Sequence, residues 1–71
     1  MATRAEQLSR VRLLAASGQA HEIRVKSMTS QDDFARSIGV NTSTISRWER
    51  GERVPSGDAA LRYGRLLDRL A

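Results

Sequence analysis

Residues 31–50, QDDFARSIGVNTSTISRWER, decide the fold of this 71-residue chain. Apolar residues recur there every three or four positions, which is the spacing of one helix face. Gly39 interrupts the pattern, and a glycine adopts the positive φ that a tight turn between two helices needs. Ala35 is small enough for a second helix to cross close above it. The stretch therefore predicts two short helices and a three-residue turn that bury Ile38, Val40, Ile45 and Trp48.

The second of these helices keeps a polar face. Its remaining side chains share one side at helical spacing; they are Thr42, Ser43, Ser46, Arg47 and Arg50. Short hydrogen-bonding side chains let a helix lie deep in the major groove of DNA, and an arginine can donate two hydrogen bonds to guanine O6 and N7. The pattern predicts a helix that reads bases.

Helix-start signals occur before this stretch. Thr3 and Glu6 form a capping-box pattern that predicts a helix over residues 4–17, which Gly18 ends. A short second helix is predicted over residues 19–27. A further capping box opens the first helix of the quoted stretch; its residues are Ser30 and Asp33.

The later boundaries follow from similar signals. Asn41 or Thr42 is expected to cap the helix that runs to Arg50. Residues 51–57 are expected to form a loop with Val54 tucked beneath it.

A last helix is predicted over residues 58–70, capped by Ser56 or Asp58. Its inner face should carry Ala60, Leu61, Gly64 and Leu67. The fold class is therefore all-α, a compact bundle of five short helices that contains a helix-turn-helix.

Composition excludes several classes of protein. The chain has no cysteine, and its only histidine is His21, so disulfides, cysteine or histidine-pair metal sites and a Ser-His-Asp triad are excluded. The longest apolar run has four residues, and the N-terminus has no apolar signal core. We expect a single cytoplasmic domain without enzymatic activity, cofactor, metal, small-molecule ligand or membrane contact.

The net charge of +4 suggests an anionic partner, but the charge is unevenly distributed. Residues 1–29 carry a net +3, residues 30–57 are neutral, and residues 58–71 carry +1. The predicted reading segment is therefore neutral as a whole.

An ordered set of fragments resembles the helix-turn-helix of the phage repressor and Cro family, the xenobiotic-response-element-like class of transcriptional regulators. The fragments are Ile23-Arg24, Ser30 to Ala35, Ile38-Gly39-Val40, Ser43 to Gly51 and Arg53 to Ser56. The resemblance covers residues 19–70, with the helix-turn-helix at 31–50. It implies one DNA-binding domain over residues 1–71, in which residues 1–18 form an extra N-terminal helix.

The resemblance also implies roles for individual residues. The residues expected to contact bases are Thr42, Ser43, Ser46 and Arg47. Those expected to contact the DNA backbone are Gln31, Asn41, Thr44, Arg50 and Arg53. Arg24 and Glu49 match a pair that forms a structural salt bridge in many family members.

The chain departs from the family pattern where Met28 and Thr29 replace a common glycine and a buried leucine, and where Gly64 replaces a small apolar residue. The basic N-terminal helix has two interpretations, a brace that enlarges the core, which we favour, or an auxiliary DNA contact. Leu66 and Leu70 either pack on that helix or form a two-fold dimer patch.

The leading functional hypothesis is a sequence-specific double-stranded DNA-binding repressor, a phage Cro or immunity repressor, that occludes a promoter by binding an operator. One alternative is an antitoxin or anti-repressor that uses the same fold to bind a protein. Another is an excisionase-like architectural factor, which would bend DNA with weak base discrimination.

Overall fold

Five α-helices and no strand make up the fold in a computed structural model that describes residues 1–71. The helices are α1 (Arg4–Ala16), α2 (Gln19–Lys26), α3 (Gln31–Ile38), α4 (Thr42–Glu49) and α5 (Gly57–Leu70). This confirms the predicted all-α bundle, and each helix begins and ends within one or two residues of its predicted bounds.

Both capping boxes form as predicted. The Thr3 hydroxyl accepts from the Glu6 backbone N–H at 3.1 Å, and the Glu6 carboxylate accepts from the Thr3 N–H at 2.9 Å. Ser30 and Asp33 make the same reciprocal pair at 3.0 Å. Each box satisfies two backbone N–H groups that a helix start otherwise leaves without a partner, so local sequence fixes where α1 and α3 begin.

The core lies where all five helices meet. Its buried apolar residues are Val11, Ala15, Ala20, Phe34, Ala35, Ile38, Ile45, Trp48, Ala60, Tyr63 and Leu67. Val40 is half-buried beside them. The side chains predicted to bury at the helix-turn-helix therefore lie in or against the core.

Tyr63 occupies the inner face of α5, where the sequence had placed Leu61. Its ring lies edge-on to Phe34 with centroids 6.0 Å apart, and at 4.9 Å from the centroid of Trp48. Leu61 is only half-buried. Leu61 lies three residues before Gly64, whereas Tyr63 lies three residues after Ala60 and four before Leu67, so helical spacing allows either residue on the inner face. The aromatic contacts favour Tyr63.

The prediction for Val54 is wrong. Its side chain is 62% exposed, and Pro55 is the buried residue of the loop. The Arg12 Nε donates to the Pro55 carbonyl at 2.8 Å and ties this loop to α1. Ser56 and Asn41 occupy the N-cap positions of α5 and α4, but neither side chain makes a capping hydrogen bond.

The N-terminal helix packs against α5. Arg4 pairs with Asp58 at 3.1 Å, and Arg10 pairs with Asp68. These ion pairs are exposed and contribute little free energy, but they direct two of the three α1 arginines toward α5. In the folded chain, therefore, α1 is a brace.

The C-terminal leucines have different environments. Leu66 is half-buried against the core, whereas Leu70 is 37% exposed.

Candidate nucleic-acid interface

Helices α3 and α4 form a helix-turn-helix around Gly39. This glycine has φ +75°, and its N–H donates to the Ala35 carbonyl at 2.9 Å. The same carbonyl accepts from the Val40 N–H at 3.0 Å. The turn is therefore closed by backbone hydrogen bonds, and α4 leaves it in a fixed direction.

The two faces of α4 differ in exposure. Ile45 and Trp48 are buried at 0% and 4% exposure and hold the helix to the core. Thr42, Ser43 and Arg47 are exposed on the other side. Because its buried face is apolar and its outer face is polar, α4 packs on the core with one side and presents hydrogen-bonding groups on the other.

Some of the predicted contact residues have no partner within the protein. Ser43 and Arg47 on α4, and Asn41 before it, make no side-chain hydrogen bond. Arg53 in the following loop is exposed and has no ion-pair partner. Thr44 is half-buried. The donors of Arg47 and Arg53 are therefore available to a ligand without breaking a contact.

The Thr42 hydroxyl bridges the two motif helices. It donates to Asp32 Oδ1 at 2.9 Å, and Asp32 also pairs with Arg36 at 3.0 Å. The Thr42 oxygen keeps its lone pairs, so it can still accept a hydrogen bond from a base.

Arg50 is bound to neighbours on both sides. It donates to the Ser46 hydroxyl at 2.6 Å and makes two hydrogen bonds to the Glu52 carboxylate, at 2.5 and 3.2 Å. These bonds hold the pKa of Glu52 below its usual value. Glu52 is a functional residue that was not predicted, although its position two residues after Arg50 was the available signal. The predicted backbone contact of Arg50 must therefore compete with an internal acid.

Glu49 of α4 accepts hydrogen bonds from side chains of two other helices, α2 and α3. Arg24 donates to its two oxygens at 2.6 and 3.1 Å, and the two side chains are only 11% and 4% exposed. His21 Nδ1 and Gln31 Nε2 both donate to Oε1, at 2.9 and 3.0 Å. We call these four residues the Glu49 cluster.

The Glu49 cluster keeps its carboxylate ionised. Burial raises the pKa of Glu49, but the hydrogen bonds from Arg24, His21 and Gln31 outweigh burial and hold the pKa below its usual value. Arg24 also donates to the Thr29 carbonyl at 2.8 Å and so fixes the turn that precedes α3. The cluster thus sets the position of Gln31 relative to α4.

Gln31 has one amide N–H committed to Glu49 and another left for a ligand. Sequence reasoning gave His21 no role, because its partner Glu49 lies 28 positions away along the chain. Nothing local in the sequence indicates that contact.

Residues 21–69, most of the chain, match the family model described as helix-turn-helix. The chain belongs to the Cro/C1-type helix-turn-helix family. This family membership supports a DNA-binding transcription regulator. No curated protein and no solved structure shows significant similarity to the chain.

The match begins within α2, so α1 of this helix-turn-helix protein lies outside it. None of the five helices has the length and apolar character that crossing a membrane requires.

Proposed function

We propose that this helix-turn-helix protein is a sequence-specific repressor of the phage Cro or immunity type, which binds an operator in double-stranded DNA and occludes a promoter. The observation that carries the proposal is the outer face of α4, where Ser43 and Arg47 are exposed and unpartnered above a buried apolar face. Such a helix fits the major groove.

The α4 side chains provide the base readout. Arg47 has its full set of donors for a guanine edge, and the short side chains beside it allow close approach. The proposed base contacts are Thr42, Ser43, Ser46 and Arg47. The residues around them contact the phosphates and so fix the position of the protein along the duplex. These residues are Gln31, Asn41, Thr44, Arg50 and Arg53.

The start of α3 supports a phosphate contact. The free N–H of the Gln31 side chain and the positive end of the α3 dipole both favour an anion there. The link from Gln31 through Glu49 to α4 couples this contact to the orientation of the reading helix.

Selection of duplexes from a randomised DNA pool with the purified protein, followed by gel shifts over a salt series, tests the proposal. We expect an enriched motif whose binding weakens as salt rises. Tight binding without an enriched motif, accompanied by DNA bending, would support the architectural alternative. Absence of DNA binding at low salt would overturn the proposed function.

Arg47→Ala tests the assignment of the base contact. We expect it to lose about 1–3 kcal/mol of binding free energy and to relax specificity at one base pair, because the bidentate contact is lost. Arg69→Ala, which removes the same charge at the end of α5, is the control. A uniform loss on all duplexes would instead identify Arg47 as a phosphate contact.

Protein binding, as in an antitoxin or anti-repressor, is the second candidate function. A groove of about 520 Å³ between α1 and the loop after α4 favours it, because Leu13 and Val54 line the groove and are 68% and 62% exposed. A stoichiometric protein partner together with a failed duplex selection would replace the repressor proposal.

The exposed Leu70 near the end of α5 is compatible with a homodimer through that helix. Footprinting on the selected duplex tests this arrangement. Two symmetric half-sites one helical turn apart indicate a dimer, and a single asymmetric footprint indicates a monomer.

A further inference from the structure

His21 lies beside the start of α3. Its Nδ1 and the Gln31 Nε2 both approach the same atom, Glu49 Oε1, at 2.9 and 3.0 Å. Two nitrogens that share one acceptor atom are close neighbours. The imidazole and the Gln31 amide therefore meet at one oxygen atom next to the N-terminus of α3.

The Glu49 carboxylate fixes the tautomer of the ring. An ionised carboxylate only accepts hydrogen bonds, so Nδ1 carries the proton. Arg24 Nη2 lies 3.3 Å from the same Nδ1, but a guanidinium nitrogen only donates, so this longer contact is not a hydrogen bond in that tautomer. The second ring nitrogen, Nε2, has no partner in the protein.

The ring is open to a ligand. The His21 side chain is 54% exposed, whereas the carboxylate that orients it is 4% exposed. A buried acid thus holds a solvent-facing imidazole in place beside the free N–H of Gln31. A carboxylate that accepts from Nδ1 in this way orients the ring and leaves Nε2 for the functional contact.

We propose that His21 and Gln31 together bind one backbone phosphate of the DNA, and that His21 does so as the imidazolium ion, so that DNA binding takes up a proton. The inference rests on the proposed DNA-binding function. A phosphate oxygen accepts but does not donate, and a neutral imidazole of this tautomer presents a lone pair at Nε2. Protonation converts Nε2 into a charge-assisted donor.

The groups that face the ring from the neighbouring helices carry little net charge. Arg24 of α2 and Glu49 of α4 form a pair that cancels, and Gln31 of α3 is uncharged. From α5, Tyr63 faces Glu49; burial raises the pKa of its hydroxyl and keeps it neutral.

The charged side chains of α1 do not contact the ring. Arg4 and Arg10 pair with α5, Arg12 donates to Pro55, and Glu6 closes its capping box.

The expected effect follows from proton linkage. An adjacent phosphate stabilises the charged form of an imidazole. Affinity therefore rises as the pH falls from 8, and it levels off once the unbound protein is also protonated. If binding raises the proton affinity of the ring tenfold, the gain in DNA affinity on protonation is at most about tenfold.

The experiment measures affinity for the selected duplex from pH 6 to pH 8 at constant salt. It also follows the His21 ring resonances by NMR as duplex is added at pH 7. We expect affinity to rise several-fold toward pH 6, together with movement of the resonances toward the imidazolium position. His21 is the only histidine, so the histidine ring resonances belong to it without ambiguity.

Two variants distinguish an effect of the His21 charge on DNA binding from an effect on folding. His21→Gln should bind at the level of the wild type at pH 8 and lose the pH dependence. His21→Lys should bind at every pH as tightly as the wild type at pH 6, because its charge is permanent over this range. Glu22→Gln, at the next position along α2, is the control and should keep the wild-type pH dependence.

The outcomes that oppose the inference are distinct from failure of the function. DNA binding without pH dependence, or a pH dependence that survives in His21→Gln, overturns the role of His21 and leaves the repressor proposal standing. Absence of DNA binding at any pH overturns the repressor proposal and this inference with it.

Discussion

Individual side chains at the proposed interface fall into two groups. Arg47 and Arg53 have free donors, whereas Arg50 and Thr42 are held by the acidic residues Glu52 and Asp32. An arginine already bonded to a carboxylate reaches a phosphate either with its remaining N–H groups or by exchanging partners. The contribution of each predicted contact therefore depends on what it must release.

Glu52 is expected to weaken DNA binding. Because it holds Arg50 through two hydrogen bonds and places a negative charge near the backbone, Glu52→Gln should tighten binding to the selected duplex several-fold. Gel-shift titrations at low and high salt measure the gain, which should shrink as salt screens the charge. Glu22→Gln removes an equal charge from α2 and is the control; an equal gain there would contradict a local role for Glu52.

Met28 is a strained residue. It is the only non-glycine residue with a positive φ, +56°, and it is 93% exposed. Met28→Gly should raise the free energy of unfolding by about 1 kcal/mol, because an L side chain is disfavoured in the left-handed region and no packing is lost. Urea unfolding measures the change. Met28→Ala keeps the Cβ and should stay within about 0.5 kcal/mol of the wild type.

At the scale of the helices, the partners of α5 select which of its faces is buried. Its sequence permits two inner faces, and the rings of Phe34 and Trp48 select the one that buries Tyr63. The crossing of α1 over α5 brings Val11 against Gly64, as expected for a small residue at a helix contact. The space there, however, does not require glycine.

Gly64→Ala should stabilise α5. A Cβ at this position would lie 3.5 Å from the Val11 Cβ, which is ordinary van der Waals contact. The gain in helix propensity is about 1 kcal/mol, and a thermal melt should show a higher midpoint. Gly39→Ala is the contrasting variant and should lower the midpoint, because a residue with a Cβ is disfavoured at the φ of +75° that Gly39 adopts. A lower midpoint for Gly64→Ala would mean that the helices cross too closely for a methyl group.

For the whole molecule, the Glu49 cluster joins α2, α3 and α4 through a single carboxylate. An ion pair buried this deeply adds little compared with an apolar pair, but removing one partner leaves a buried charge without compensation. The cluster therefore acts chiefly as a constraint that holds the motif helices and α2 in one arrangement.

Glu49→Ala should lower the free energy of unfolding by about 3–5 kcal/mol, since Arg24 would lose its buried partner. Circular dichroism melts at pH 7 measure the loss, and Glu22→Gln, which removes an exposed ion pair, should change little. An unchanged midpoint for Glu49→Ala would contradict the structural role of the pair.

The same carboxylate predicts sensitivity to acid. The pKa of Glu49 is lower in the folded state than in the unfolded chain, so its stabilisation is complete above the ordinary value of about 4.3 and is lost as pH falls through the lowered value. Asp33 and Glu6 act in the same direction. Unfolding free energies measured from pH 7 to pH 2 should fall below pH 4, and the fall should be smaller in Glu49→Gln.

The sequence by itself determined the helices, their starts and the turn between α3 and α4. Capping boxes, the positive φ of Gly39 and apolar spacing act over three or four residues, so each is visible in a short window of sequence. The outer face of α4 followed from the same local periodicity.

The tertiary structure alone decided which groups meet across the chain. It placed Tyr63 rather than Leu61 in the core, buried Pro55 rather than Val54, and brought His21 to Glu49. Local periodicity does not predict these outcomes, because each depends on the packing of helices that are distant in sequence. Where side chains meet across separate helices, their chemistry is set by the fold and not by their neighbours in the chain.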